Sequence, residues 1–182
     1  MEEKNPYDYS DAELIKGALA NDRHYQEMLY RKYADAMYTI ACNYSNSEEE
    51  AADILQEGFI KVFKYLKQQD ANRSLGGWIK KIIINTALEH YRKNKRKEEI
   101  IADYANEYPP IEFEVEQSSS RDLIKYVNSL PEKAKIVLQL YILDGYPHQE
   151  IADLLGISVG TSKSQLNRAK FLLREMIGGK NV

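Results

Sequence analysis

Apolar residues recur along this chain with the period of an α-helix, and no stretch alternates in the manner of a strand. In the N-terminal half, the pattern predicts four helices. The first begins after Ser10, the second and third cover residues 25–44 and 47–66, and the fourth begins after Ser74. Ser10 and Glu13 have the spacing of a capping box, in which each residue's side chain satisfies the other's free backbone amide. Ser47 and Glu50 repeat this spacing, which predicts the start of the third helix.

Residues 98–119 interrupt the helical pattern with two adjacent prolines and many acidic side chains, which predicts a flexible acidic linker. Helical periodicity returns over residues 120–128, 131–143, 147–155 and 158–176. The expected fold is therefore all-α, with two small helical domains at residues 7–97 and 120–182.

Charge is segregated along the chain, although the net charge is only −3. Residues 73–97 contain eight Lys or Arg against one Glu, and residues 159–180 contain five against one. The stretch 98–122 between them has eight acidic residues against one Arg. Two basic blocks separated by an acidic connector indicate two surfaces that bind anions, one in each predicted domain.

The C-terminal block has the layout of a helix-turn-helix. Gly156 can adopt the left-handed conformation that ends a helix, and Ser158 is placed to cap the next one. On the second helix, the positions expected to face inward are Leu166, Ala169, Leu172 and Leu173. The outward positions carry hydroxyl, amide and cationic side chains that can contact phosphates and base edges, namely Thr161, Lys163, Ser164, Asn167 and Arg168. A solvated amphipathic helix is the simpler alternative, but the turn, the cap and the basic face together favour DNA binding.

The third predicted helix has an apolar stripe that includes Leu55, Phe59, Val62 and Leu66. Ile60 lies on the opposite face, near Asp53, Gln56 and Glu57. An exposed isoleucine is common, but an apolar centre with a polar rim also fits a docking surface. The helical wheel leaves both interpretations open.

The fourth predicted helix is apolar on nearly all sides at its start and strongly basic at its end. Asn85 interrupts the apolar part and needs a hydrogen-bond partner, which is either a neighbouring backbone group or a ligand. The basic end suits a phosphate backbone and consists of Arg92, Lys93, Lys95, Arg96 and Lys97.

These motifs, taken together, resemble an extracytoplasmic-function (ECF) sigma factor of the sigma-70 family. The resemblance rests on three stretches in order, which read DILQEGFIKVF, GGWIKKIIINTALEHYRKNKR and LPEKAKIVLQLYILDGYPHQEIADLLGISVGTSKSQLNRAK. It implies a promoter-recognition factor that binds core RNA polymerase and starts transcription. The first domain would be sigma domain 2, and the second would be sigma domain 4.

The resemblance also implies partners and residue roles. The residues that would bind core polymerase, at the clamp helices of its largest catalytic subunit, are Asp53, Gln56, Glu57, Phe59 and Ile60. Those that would bind the −10 element are Asn72, Arg73, Trp78, Asn85, Arg92 and Arg96, and those that would bind the −35 element are Thr161, Lys163, Ser164, Asn167 and Arg168. The polymerase flap is a further expected partner, and such factors are commonly held by an anti-sigma factor.

Two residues of the second helix in the helix-turn-helix depart from the family pattern. Ser162 stands where valine is common, and Gln165 where arginine is common, which suggests an altered promoter preference. We expect the Ser162 hydroxyl to bond to the backbone carbonyl one helical turn earlier.

Other function classes fit the sequence less well. An ordinary helix-turn-helix regulator with an N-terminal sensing or dimerisation domain would leave the basic fourth helix unexplained. The three histidines have no metal-binding spacing, so neither an enzyme nor a cofactor is expected. The single cysteine, Cys42, is expected to be a small core residue. With no membrane-length apolar run or signal peptide, a cytoplasmic location without membrane insertion is expected.

Overall fold

The computed structural model describes residues 5–102 and 120–178, and within these ranges it contains helices and turns but no strand. Its helices are α1 (Asp11–Leu19), α2 (Arg23–Tyr44), α3 (Glu48–Tyr65), α4 (Leu75–Ala102), α5 (Ser120–Asn128), α6 (Glu132–Leu138), α7 (His148–Leu155) and α8 (Val159–Gly178). This architecture confirms the predicted all-α fold class. In the described residues, no helix combines the length and the apolar character needed to cross a membrane.

The chain divides into two compact units, Met1–Ile101 and Ala102–Val182. Helix α4 continues past Lys97, where the first domain was expected to end, and reaches Ala102. The rest of the predicted linker, residues 103–119, lies outside the described residues.

The N-terminal unit begins its helices largely as its sequence predicts. Glu13 N donates to Ser10 Oγ at 3.2 Å and Ser10 N donates to Glu13 Oε2 at 2.8 Å, which confirms the first capping box. Ser47 Oγ likewise accepts from Glu50 N at 3.1 Å. Glu50, however, does not complete a reciprocal box, because its carboxylate accepts from Asn46 N and from Asn94 Nδ2 of α4, each at 2.8 Å.

The core of the N-terminal unit is aliphatic and brings α3 and α4 close together. Its largest fully buried side chains are Leu14, Met28, Leu29, Ile54, Leu66, Leu75, Ile79, Ile83, Ile84 and Leu88. Gly58 has no side chain where the Cδ1 atom of Ile83 packs, so a β-carbon at this position would overlap that methyl group. Cys42 is exposed, and the core prediction for it is wrong, because its neighbour Ala41 takes the inward position on α2.

The C-terminal unit packs α6 and α7 against α8. Its buried apolar residues include Leu130, Ala134, Ile136, Val137, Leu140, Ile151, Ala152, Leu166 and Ala169. The single helix expected over residues 131–143 is instead α6 followed by a π-helical turn, Gln139–Leu143, in which Asp144 N donates to Gln139 O at 3.1 Å. The turn buries Gln139 and Leu140 and leaves Ile142 and Leu143 exposed.

Candidate functional site

The helix-turn-helix in the C-terminal unit consists of α7, a tight turn and α8. Gly156 has φ 66° and ψ 36°, the left-handed conformation expected of it, and it ends α7. Ile157 N then donates to Ala152 O at 3.0 Å. Ser158 Oγ accepts from Thr161 N at 3.0 Å, which confirms the predicted cap of the second helix.

Helix α8 presents two different faces. Leu166 and Ala169 are buried, as predicted, while Leu172 and Leu173 are half-buried. The side chains on the outer face are exposed at Lys163, Ser164, Asn167 and Arg168 and half-buried at Thr161. The hydroxyls of this set make local bonds, because Thr161 Oγ1 lies 2.9 Å from Ser158 Oγ and Ser164 Oγ donates to Thr161 O at 2.9 Å. The exposed cations and the Asn167 amide are therefore the groups best placed to reach a ligand.

Ser162 is fully buried, and its hydroxyl does not make the bond expected from the sequence. Ser162 Oγ lies 2.9 Å from Nδ1 of His148, while Ser158 O accepts the ordinary backbone bond from Ser162 N at 3.0 Å. The prediction of a bond back to the carbonyl is therefore wrong. A histidine at the start of the neighbouring helix α7, which the sequence pattern did not single out, is its partner instead.

The polar face of α3 is the second candidate surface. Asp53 and Gln56 are exposed, Glu57 is half-buried, and the Ile60 side chain is 60% exposed. Phe59 is only 3% exposed, and its ring packs edge-on against Tyr30 at a centroid distance of 4.7 Å. Four of the five residues predicted to bind polymerase therefore reach the surface. The fifth, Phe59, is buried beneath this face.

An apolar groove of about 420 Å³ lies beside this face, in the N-terminal unit. It is lined by Tyr30, Tyr38, Ala52, Leu55, Gln56, Phe59, Ile60 and Phe63. Ile60 and Gln56 thus belong both to the polar face and to the groove wall. A concave apolar surface with a polar rim is the arrangement that accommodates a protruding apolar side chain of a partner.

Two side chains of α4 form close polar contacts with side chains of α3. Nε2 of His90 lies 3.1 Å from Oε2 of Glu57, and Lys61 Nζ lies 2.8 Å from Oε2 of Glu89. The close contact with the His90 imidazole lowers the pKa of Glu57, and the positive charges of Lys93 and Lys61 add to this effect. Glu57 is therefore held as a carboxylate on the surface of α3.

The loop before α4 is the third candidate surface. Asn72 donates to Asp70 Oδ1 from its backbone N at 2.9 Å and from Nδ2 at 3.1 Å. Arg73 Nε lies 3.6 Å from Asp70 Oδ2. Gln69 Nε2 donates to Asp70 O at 2.7 Å and to Arg73 O at 2.9 Å, so one amide connects both ends of the loop. Sequence patterns gave Gln69 no role, because its two acceptors are backbone oxygens.

The remaining residues of this surface lie on α4. Trp78 and Asn85 are half-buried, and Arg92 is exposed, with Nε donating to Leu88 O at 3.3 Å. Oδ1 of Asn85 is buried and has no hydrogen-bond partner within the described residues, which favours the interpretation that a ligand completes it. The side chain of Arg96 lies outside those that the structure describes.

Two family profiles match the parts of the chain that contain the three surfaces. The profile of Sigma-70 region 2 matches residues 29–97, which include the polar face of α3 and the loop before α4. The profile of Sigma-70, region 4, matches residues 120–172, which include the helix-turn-helix. Both matches fall in the order that the sequence motifs predict.

Individual proteins to which the chain is similar are ECF RNA polymerase sigma factors. The chain is 28% identical over 155 residues to the ECF RNA polymerase sigma factor SigE of Mycolicibacterium smegmatis, a match that covers 82% of this chain and 60% of that protein. It is 24% identical over 176 residues to SigM of Mycobacterium tuberculosis, covering 97% and 89% of the two chains. It is 27% identical over 158 residues to SigW of Bacillus subtilis, covering 80% and 84%.

Solved structures show a similar fold. The sigma factor RpoE of Bartonella quintana, solved with the anti-sigma factor NepR, superposes with a TM-score of 0.54 at 20% identity over 85% of this chain and 98% of that one. CnrH, solved with the cytosolic domain of CnrY, gives a TM-score of 0.50 at 19% identity over 92% of this chain and 97% of that one. With its two region profiles and its ECF relatives, the chain belongs to the sigma-70 family as an ECF RNA polymerase sigma factor.

Proposed function

We propose that this protein binds core RNA polymerase through the polar face of α3 and directs the enzyme to promoters. The observation that carries the proposal is the exposed Ile60 at the rim of the apolar groove, surrounded by the polar side chains of Asp53, Gln56 and Glu57. Such a surface suits a helical partner that offers an apolar side chain with polar neighbours. The clamp helices of the largest catalytic subunit are that partner.

The −35 element is the ligand of the outer face of α8. Lys163 and Asn167 have the chemistry to contact base edges, and Arg168 has the chemistry to neutralise a phosphate. All three side chains are exposed on one helix that follows a tight turn. This geometry supports insertion of α8 into a major groove.

The −10 element is the ligand of the loop before α4 and of the exposed groups on that helix. Asn72 and Arg73 lie on a loop that hydrogen bonds hold in shape, and Arg92 is exposed on α4. Oδ1 of Asn85 is buried without a partner among the described residues, and a rotation of the side chain would let it accept a bond from an exocyclic amino group of an unstacked base. Trp78 and Arg96 complete the proposed set. Unpairing and unstacking a base costs a few kcal/mol, on the order of one lost stacking step. The contacts made to the captured base offset that cost.

The protein needs no chemistry of its own for this role. Each DNA-binding unit alone can bind weakly, because connecting two modules raises the effective concentration of the second one once the first is bound. The polymerase catalyses RNA synthesis, and the sigma factor places the polymerase at the promoter. A cytoplasmic location follows from that partnership.

Two further partners are part of the proposal. The exposed apolar run of the π-helical turn, at Tyr141, Ile142 and Leu143, is a surface suited to the polymerase flap. An anti-sigma factor is the proposed regulator, since RpoE and CnrH, which share the fold, were both solved with a bound partner, NepR and CnrY. The alternative of an ordinary helix-turn-helix regulator is not favoured, because region 2 matches residues 29–97.

In vitro transcription with purified core RNA polymerase tests the proposal. The wild-type protein should produce promoter-specific transcripts from genomic fragments, and a variant with Asp53, Glu57 and Ile60 replaced by alanine should lose both core binding and transcripts at unchanged helical content. If the wild-type protein supports no transcript but binds duplex DNA alone as a dimer, the regulator alternative is correct.

A second experiment distinguishes the residues of α8 that contact base edges from those that contact phosphates. Lys163→Ala should change which −35 sequence is preferred, whereas Arg168→Ala should weaken use of all −35 sequences about equally and reduce the salt dependence. Equal effects of the two substitutions on every sequence would contradict the assignment of Lys163 to base contacts.

A further inference from the structure

One buried polar contact joins the two helices of the helix-turn-helix. Ser162 on α8 is fully buried, and its Oγ lies 2.9 Å from Nδ1 of His148, the first residue of α7. The imidazole in turn stacks on the ring of Tyr141 in the π-helical turn, with a centroid distance of 4.5 Å and an interplanar angle of 20°. The His148 side chain on α7 therefore contacts both the π-helical turn that precedes this helix and α8, which follows it.

The other buried residues of α7 and of the described part of α8 are apolar, and that difference matters mechanically. They are Ile151, Ala152, Leu166 and Ala169. Apolar burial has no preferred direction, whereas a hydrogen bond weakens steeply when its distance or angle departs from the optimum. The contact between His148 and Ser162 is therefore the directional element of the crossing.

Ser162 also occupies a sensitive position along α8, between Thr161 and Lys163 and two residues before Ser164. A helix with its side chains is about 10–12 Å wide, so a rotation of about 20° about its axis moves an outer side-chain tip by roughly 2 Å. Hydrogen bonds to base edges tolerate only a few tenths of an ångström around ~2.9 Å. A small rotation of α8 is therefore enough to exchange one set of base contacts for another.

We infer that His148, acting through Ser162, is a positioning residue that sets the rotation of α8 and thereby the −35 sequence that the protein prefers. The ring of Tyr141 holds the imidazole plane in the orientation that directs Nδ1 at the hydroxyl. This inference rests on the proposed function, because it concerns how α8 is presented to promoter DNA. Neither His148 nor Ser162 contacts DNA in this scheme.

Three variants of the full chain separate the hydrogen bond from the ring stack. His148→Asn keeps a hydrogen-bonding atom near the position of Nδ1 but loses the ring. His148→Phe keeps a ring against Tyr141 but cannot bond to the hydroxyl. Ser162→Ala removes the hydroxyl and creates no overlap in the buried site. Each is combined with core polymerase and given a promoter library in which only the −35 bases are randomised, and the transcribed templates are sequenced.

The hydrogen-bond role predicts that Ser162→Ala and His148→Phe change the relative use of −35 sequences by about tenfold, the discrimination of one base-edge contact. His148→Asn should retain the wild-type order of preference. Thermal unfolding of each variant shows whether the unit is folded, and a folded variant with a changed preference is the supporting result.

Two other results would overturn the inference. If Ser162→Ala and His148→Phe lower transcription from all −35 sequences by the same factor and leave the preference unchanged, the contact only stabilises the unit. If the wild-type protein gives no promoter-dependent transcript, the proposed function fails and the positioning role fails with it. The two failures are distinguished by the wild-type reaction alone.

Discussion

Replacing Ile60 by alanine tests the proposed polymerase-binding surface at its apolar centre. Full burial of an isoleucine side chain is worth about 1.5–3 kcal/mol. Since Ile60 is 60% exposed in the free protein, the part that a partner can still bury is worth about 1–2 kcal/mol. Because alanine retains little of that surface, the dissociation constant for core polymerase should rise about 5- to 30-fold.

The assay is displacement of a fluorescent reference sigma factor from core RNA polymerase by increasing amounts of unlabelled protein. Leu19→Ala is the matched control, because Leu19 is another exposed aliphatic residue of the same unit, 45% exposed at the end of α1. Circular dichroism should show the same helical content for both variants. The substitution at Leu19 should leave the displacement curve unchanged.

The reasoning fails if Ile60→Ala displaces the reference factor as well as the wild-type protein does. It also fails if Leu19→Ala weakens binding to the same extent, because the loss would then reflect a general change in the N-terminal unit. A loss confined to Ile60 with unchanged helical content supports docking at the groove.

Two further predictions concern the stability of the N-terminal unit, followed by the fluorescence of the single tryptophan during urea unfolding. Gly58→Ala should destabilise the unit by about 1–3 kcal/mol, because its β-carbon would overlap Cδ1 of Ile83; Gly77→Ala, whose nearest contact is an ordinary 3.7 Å, should stabilise it by up to ~1 kcal/mol, and equal effects would contradict the packing argument. The lowered pKa of Glu57 predicts a stabilising contribution that is complete above the ordinary glutamate pKa of about 4.3 and is lost as the pH falls through the lower folded-state value. His90→Ala should reduce this acid sensitivity, and an unchanged pH profile would show that His90 is not its cause.

The sequence by itself determined the helices, most of their ends and the inner face of α8. The Ser10–Glu13 box, the left-handed Gly156 and the buried Leu166 and Ala169 were all predictable, because they depend on interactions within one or two helical turns. The docking surface was predictable only in part. The helical wheel placed Ile60 outside, but it could not show the groove beside it, which needs α2 packed against α3.

Only the tertiary structure decided the partners of two polar side chains, Glu50 and Ser162. Glu50 bonds to Asn46 and Asn94 rather than completing a box with Ser47, and the hydroxyl of Ser162 points to His148 rather than to its own helix. In both cases a side chain on another helix, Asn94 or His148, is one of the partners. A sequence pattern can indicate only partners within a few residues. The contact between His148 and Ser162, which we propose orients α8, is therefore seen only when α7 and α8 are packed together.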